Sequence, residues 1–356
     1  MSNYIEYKDK IAFHPGYYIK EIIDDSGLTQ EEFAYRLGTT PKNISILVRG
    51  DQSISVDIAT KLSRMLGTSV VYWLNIQNMY DSVLAEMNSE ELLNDEKEIL
   101  RSVDYSYFRK YFGLPDLPRK TDEQIKELRM FLNVSSLTYF IEPNLEVSFR
   151  SANKQMTDAN IIRANMMVQI ASNLSLNEKI NKFNKKKFEE AADKAVELTC
   201  NHDSFDKTIK KLFADAGVSF VIMPNLPGSK TNGATKKMGD YIMLMVNDRR
   251  LYADTFWFTL FHEVGHILNG DYGISFEEEK GEKEQRADNY AMNKLIPADS
   301  YARFINQRDF SRRSIVRFAN EINRAPGIIV GRLQHEEYIK KNDPIYNSLR
   351  VKYKVL

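Results

Sequence analysis

The segment WFTLFHEVGHILNG, residues 257–270, constrains the fold of this chain more than any other. Phe258, Leu260, Phe261, Val264, Ile267 and Leu268 recur at helical spacing and Asn269-Gly270 supplies a stop, so the segment reads as a helix buried in a domain. His262 and His266 stand four residues apart on it, with Glu263 beside the first. Four residues advance a helix by roughly 6 Å with little rotation, so both imidazoles share one face and can reach one tetrahedral zinc ion. Glu263 then points toward the open side of the metal.

Two histidines do not complete a zinc site, and the third ligand is sought in EKEQRADNYAMNKLIP, residues 282–297. There Glu284 and Asp288 fall on one face of a second helix with Ala287, Ala291 and Leu295, and the small alanines allow close approach to the first helix. Glu284 is assigned as the ligand. Asp288, one turn on, is placed to accept the second ring N–H of a ligand histidine. Glu282 in the preceding loop, Glu277, Glu278, Glu279, Asp288 itself and His335 compete for the third position with a poorer fit. Donors of this kind favour zinc and also accept manganese or iron. Tyr252, Tyr272, Tyr290 and His335 are candidates for a donor to a developing oxyanion, and spacing selects none of them.

The other end of the chain is punctuated quite differently. From Pro15-Gly16 to Asp81 short amphipathic stretches alternate with Gly and Thr/Ser signals, which predicts a bundle of four or five helices. Tyr18, Ile19, Ile22 and Ile23 make one apolar stripe that Gly27 ends; Thr29 caps QEEFAYRLG, Gly38 closes it, and Thr40-Pro41 opens PKNISILVRG. This is helix-turn-helix spacing. In the third helix Ile44 and Leu47 turn inward, while Lys42, Asn43, Ser45 and Arg49 face out without an acid among them, the side-chain types that bind phosphates and base edges. Between His14 and Tyr80, however, six Lys and Arg face seven Asp and Glu, so the module has no basic footprint overall. The whole chain is neutral as well, and gives no field that would draw nucleic acid or a membrane.

At 356 residues the chain has room for two or three domains. We expect an α+β protein with boundaries at 1–81, 82–200 and 201–356. These are an all-α five-helix N-terminal domain, a helical middle region, and a C-terminal helical domain with a small sheet from VSFVIMPNLPG and YIMLMVNDR. In the middle region NSEELLNDEKEILRSV and TDEQIKELRMFLNV carry capping signals, and YFGLPDLPRK between them reads as a turn or linker. The lysine-rich KINKFNKKKFEEAADKAVEL reads as an amphipathic helix with a solvated face, and His202 as structural or exposed. Cys200 stands alone, which excludes an internal disulfide and suggests a buried or inert thiol in a reducing compartment. The start lacks a secretory signal and no apolar run is long enough to span a bilayer, so a cytoplasmic protein without membrane contact is expected.

Through FHPGYYIKEII, SGLTQEEFAYRLGTTPKNISILVRG and ATKLSRMLGTSVVYWLNIQNMYD, the N-terminal segment resembles the phage-repressor-like helix-turn-helix proteins, most closely the HigA-type antitoxins. The resemblance implies DNA-contacting roles for Gln30, Thr40, Lys42, Asn43 and Ser45, and two-fold dimers on paired half-sites. Through HEVGH and EQRADNYAMNKLIP, the part from about Thr199 to past Pro297 resembles the ImmA/IrrE metallopeptidases. That second resemblance implies a zincin-like fold, Zn2+ held by His262, His266 and Glu284, and hydrolysis of a peptide bond in a regulatory protein with Glu263 as general base. The expected substrate is a helix-turn-helix repressor or a toxin–antitoxin partner. The alternative is an antitoxin or transcriptional repressor in which the zincin domain senses a signal or docks a partner without turnover. Intact Glu263 favours the enzyme.

Overall fold

The structure is a computed structural model that describes residues 3–141, 157–202, 205–247, 252–276 and 281–353. It contains two compact units, Met1–Asp95 and Glu96–Leu356.

The first unit opens on an antiparallel hairpin, β1 (Tyr4–Tyr7) and β2 (Lys10–Phe13), with Tyr4 opposite Phe13 and Tyr7 opposite Lys10. The expectation of an all-α N-terminal domain is therefore corrected. The two-residue turn is tightened by Lys8 at φ 55°, the left-handed conformation that primed hairpin turns need. Five helices follow as expected: α1 (Pro15–Ser26), α2 (Gln30–Leu37), α3 (Pro41–Val48), α4 (Val56–Leu66) and α5 (Val70–Arg101). The punctuation acts locally as read. Thr29 Oγ1 accepts from the Glu32 amide and Thr40 Oγ1 from the Asn43 amide, while Gly27 and Gly38 end α1 and α2 in the left-handed region. Ile19, Ile23, Phe33, Leu37, Ile44, Leu47, Leu62 and Trp73 fill the core between the helices. Gly16 is required at the start of α1, because a Cβ there would lie 1.9 Å from the Leu47 carbonyl oxygen of α3. The cap signal near Asn88-Ser89 starts no new helix; α5 runs through it, since nothing between residues 70 and 101 is Gly or Pro.

In the second unit come α6 (Tyr105–Phe112), α7 (Thr121–Leu132), α8 (Asp158–Ser175), α9 (Lys185–Glu197) and α10 (Phe205–Asp215). The strands β3 (Val218–Met223), β4 (Thr231–Met238) and β5 (Tyr241–Asn247) lead into α11 (Ala253–Asn269). After it come β6 (Gly273–Phe276), α12 (Glu282–Leu295), α13 (Ala298–Asn306), α14 (Arg312–Glu321), α15 (Pro326–His335) and α16 (Pro344–Asn347). The four strands form a sheet in the order β3-β5-β4-β6, with β3 parallel to β5 and the other pairs antiparallel. The expected strands are β3 and β5, with Asp248 and Arg249 of the second lying outside the described residues; β4 and β6 are additional.

The structure draws its boundaries elsewhere than at residues 81 and 200. Helices α6 to α9 share a unit with the sheet, and α8 packs on β3, β4 and β5. Glu96, wholly buried, braces this region by pairing with Arg129 through both carboxylate oxygens and accepting the Leu137 amide. Of the lysine-rich segment, Lys185–Glu197 forms α9, with Phe188 and Val196 buried and its lysines exposed, whereas residues 179–184 precede the helix as chain without regular structure. Cys200 is exposed, which corrects the buried reading of that thiol. The His202 ring shares a hydrogen bond with the Tyr353 hydroxyl at 2.9 Å.

The core of the unit lies along α11, where Trp257, Leu260, Phe261, Val264 and Ile267 are buried against the sheet, α12 and α15. A helix this enclosed can hold polar side chains only where partners converge on them.

Candidate metal centre

Gly270 terminates α11 at φ 74°, so the two histidines occupy its last two turns, held on all sides. Facing them, α12 approaches closely at Gly265, where a Cβ would lie 3.2 Å from Ala287 Cα and 3.2 Å from Tyr290 Cβ. Ala287 and Ala291 are fully buried in this contact. The close packing brings Glu284, on the first turn of α12, onto the histidines.

His262 Nε2 lies 2.9 Å from His266 Nε2 and 3.1 Å from Glu284 Oε2, and His266 Nε2 lies 3.3 Å from Glu284 Oε1. In a tetrahedral site with bonds of 2.0–2.1 Å, neighbouring ligand atoms stand about 3.3 Å apart, so these donors already have roughly the spacing that zinc requires. Among the described residues this is the one group of His, Cys, Asp and Glu whose ligand atoms converge in this way. Asp288 Oδ1 is 2.8 Å from His262 Nδ1. That contact orients the His262 ring so that Nε2 faces His266 and Glu284, as a partner behind a ligand histidine does.

The electrostatics point the same way. Burial opposes charge on His262, yet its hydrogen bonds to Asp288 and Glu284 and the nearby charge of Glu263 outweigh burial and push its pKa up to about 10. Glu284 is pushed up by burial and pulled down further by hydrogen bonds from His262 and His266, ending well below the ordinary carboxylate range. A positive charge is thus favoured between these groups, carried by the His262 proton or by a bound cation that replaces it, and the donor set of two imidazoles and a carboxylate suits zinc. Glu263, beside the first histidine, is wholly buried.

Of the competing ligands, Asp288 meets the far nitrogen of His262, and neither Glu282 nor His335 joins the converging group. Glu282 is exposed as the first residue of α12 rather than in a loop, and Glu277, Glu278 and Glu279 lie outside the described residues. His335 is exposed on α15, at a cavity of about 500 Å³ that Asp288 also lines. Of the tyrosines considered as oxyanion donors, Tyr252 lies under the Arg350 guanidinium at 3.9 Å. The Tyr290 hydroxyl is held above its ordinary pKa, first by burial and then by Asp193 and Glu189 of α9. Tyr272 is half-buried and likewise raised by burial. Sequence reasoning missed Asp254, whose carboxylate Arg350 grips with two hydrogen bonds at the start of α11; an acid in the first turn of a buried helix was the available signal.

In the first unit Gln30, Thr40 and Lys42 are exposed around the turn between α2 and α3. Asn43 and Ser45 are half-buried, with Asn43 Nδ2 donating to Thr39 Oγ1 and Ser45 Oγ accepting from Arg49 Nη1. Arg49 also pairs with Asp51. The five residues thus surround one helix-turn-helix corner. Residues 19–73 match the helix-turn-helix family model. The chain is 33% identical over 82 residues to virulence-associated protein I of Dichelobacter nodosus, covering 76% of that protein and 23% of this chain. It is 35% identical over 79 residues to the uncharacterized HTH-type transcriptional regulator YddM of Escherichia coli, covering 84% of it and 22% of this chain.

The chain belongs to the helix-turn-helix family. Two solved structures are also similar to it. A Nostoc punctiforme protein described as an antidote of a plasmid maintenance system is 36% identical, with a TM-score of 0.22, over 22% of this chain and 88% of that one. An addiction module antidote protein of a HigA family from Coxiella burnetii is 27% identical, with a TM-score of 0.22, over 24% of this chain and 92% of that one. In this helix-turn-helix protein no helix among the described residues is long and apolar enough to cross a membrane.

Proposed function

We propose that the chain is a DNA-binding regulatory zinc metallopeptidase that hydrolyses a peptide bond in a regulatory protein, a repressor, an antitoxin or a toxin partner. The observation that carries this reading is the convergence of His262, His266 and Glu284 with Glu263 adjacent on the same helix. The N-terminal unit supplies the route to DNA, with Gln30, Thr40, Lys42, Asn43 and Ser45 at the corner that a groove-reading helix-turn-helix presents. Its relatives include an HTH-type transcriptional regulator, which supports a regulatory setting for the substrate.

His262, His266 and Glu284 would hold the zinc, and Asp288 would fix the ring of His262 through Nδ1. Zinc bound there supplies a Lewis acid that acidifies water and polarises the scissile carbonyl. The Glu263 carboxylate takes one proton from the attacking water and later delivers it to the leaving amine nitrogen, so that the hydroxyl ends on the carbonyl carbon and the proton on the amine. Complete burial of Glu263 keeps bulk water from competing for that proton.

The test compares Glu263→Gln with wild type in cells, mapping new protein N-termini by mass spectrometry. Both proteins are expected to hold zinc, and only wild type to generate new termini in a regulatory protein. The same termini from the glutamine variant would remove Glu263 from the mechanism. A wild type that holds zinc and generates none would favour the non-proteolytic repressor.

A further inference from the structure

The buried base Glu263 rests against the middle of the sheet, and the residue it meets is Gly233 of β4. A Cβ built on Gly233 would lie 2.6 Å from Glu263 Oε1, 2.7 Å from Cγ and 2.8 Å from Cδ. All three are far inside the roughly 3.5–4.0 Å of an ordinary carbon contact. The clash involves the stem of the side chain as well as its end, and the stem is fixed by α11, where both neighbouring ligand positions anchor the helix. Backbone freedom does not explain this glycine, since Gly233 is absent from the positive-φ residues. Its strand position is also specific: it pairs with Val246 of β5 and Ser275 of β6, beside the register shift between Thr231 and Gly233 that marks a bulge in β4. Bulges re-aim a strand locally and concentrate next to active sites.

We propose that Gly233 is a positioning residue for the general base: its missing side chain leaves the seat in which the Glu263 carboxylate lies. The inference rests on the peptidase reading for its meaning, while the contact itself does not depend on metal or substrate. An alanine at 233 displaces the carboxylate and leaves His262, His266 and Glu284 in place.

The test uses the full chain as wild type, Gly233→Ala, Glu263→Ala and the double variant. In urea unfolding, Gly233→Ala is expected to lower the midpoint in the wild-type background and to have no effect once Glu263 is alanine, because the atoms it strikes are gone. If the single variant does not fold, a folded double variant gives the same answer, whereas a double variant that also fails overturns the proposal. The functional readout is acetohydroxamate binding to the zinc-loaded proteins, since its N–OH proton is taken by a carboxylate beside the metal. Gly233→Ala is expected to retain zinc and bind this probe about tenfold more weakly, the loss of a hydrogen bond to a charged group. Equal destabilisation in both backgrounds, or unchanged acetohydroxamate affinity, overturns the proposal. A wild type that takes up no zinc overturns the peptidase reading itself, and the unfolding comparison still decides the Gly233–Glu263 contact.

Discussion

Arg350→Ala removes one half of a buried ion pair that fastens the start of the histidine-bearing helix. Arg350 donates from Nε and Nη2 to the two Asp254 oxygens at 3.0 and 2.8 Å, and the two side chains keep 14% and 6% of their exposure. The same guanidinium lies over Tyr252 and donates to Gln334 Oε1. Removing one partner of a buried pair costs about 3–5 kcal/mol, because the other charge is left without compensation. Asp254 can escape part of this by taking a proton, so the lower end, about 3 kcal/mol, is expected. For an m-value of about 3 kcal/mol/M that loss moves the urea midpoint down by roughly 1 M. Trp257, buried on α11, reports the transition, and Trp73→Phe silences the other tryptophan. The pH dependence has a definite sign. Burial already raises the Asp254 pKa in the folded protein, against the pull of Arg350, and losing Arg350 raises it further. A carboxyl whose folded pKa is raised is unpenalised below its unfolded value and costs stability as pH rises through the folded value. The deficit of the variant should therefore shrink toward acid pH. An unchanged midpoint, or a deficit that grows on acidification, would refute the reasoning.

Asp288→Ala should weaken zinc binding about tenfold, the lower end for loss of a partner behind a ligand histidine, because this side chain is 46% exposed. Chelator competition measures it, and wild-type affinity would show that His262 does not depend on Asp288. Lys42→Ala combined with Asn43→Ala should abolish binding to DNA selected from a random pool by wild type, without changing zinc content. Retained selective binding would move recognition away from the start of α3.

The helix-turn-helix corner was legible because each boundary carries its own chemistry: a glycine at positive φ ends α1 and α2, and a threonine hydroxyl starts α2 and α3. The candidate centre was legible for a related reason. Period and ligand spacing coincide on α11, and the alanines of α12 announce the close approach that delivers Glu284. What escaped depends on tertiary pairing. β4 reads TNGATKKM, with a glycine and two lysines where strand residues would be expected, and is held in the sheet by partners on both sides. The hairpin of β1 and β2 did alternate around a two-residue turn, a short signal next to a strong helical one. The contacts of Gly233 with Glu263 and of Arg350 with Asp254 join residues far apart in sequence, and no local period records them.

Zinc content of the purified chain, measured by elemental mass spectrometry beside Glu284→Ala, tests the three-ligand centre most directly and needs no knowledge of the substrate. About one zinc per chain in wild type, strongly reduced in the variant, is the expected result for a site of this donor set. Metal absent from both after zinc is supplied, or equal in both, would contradict it.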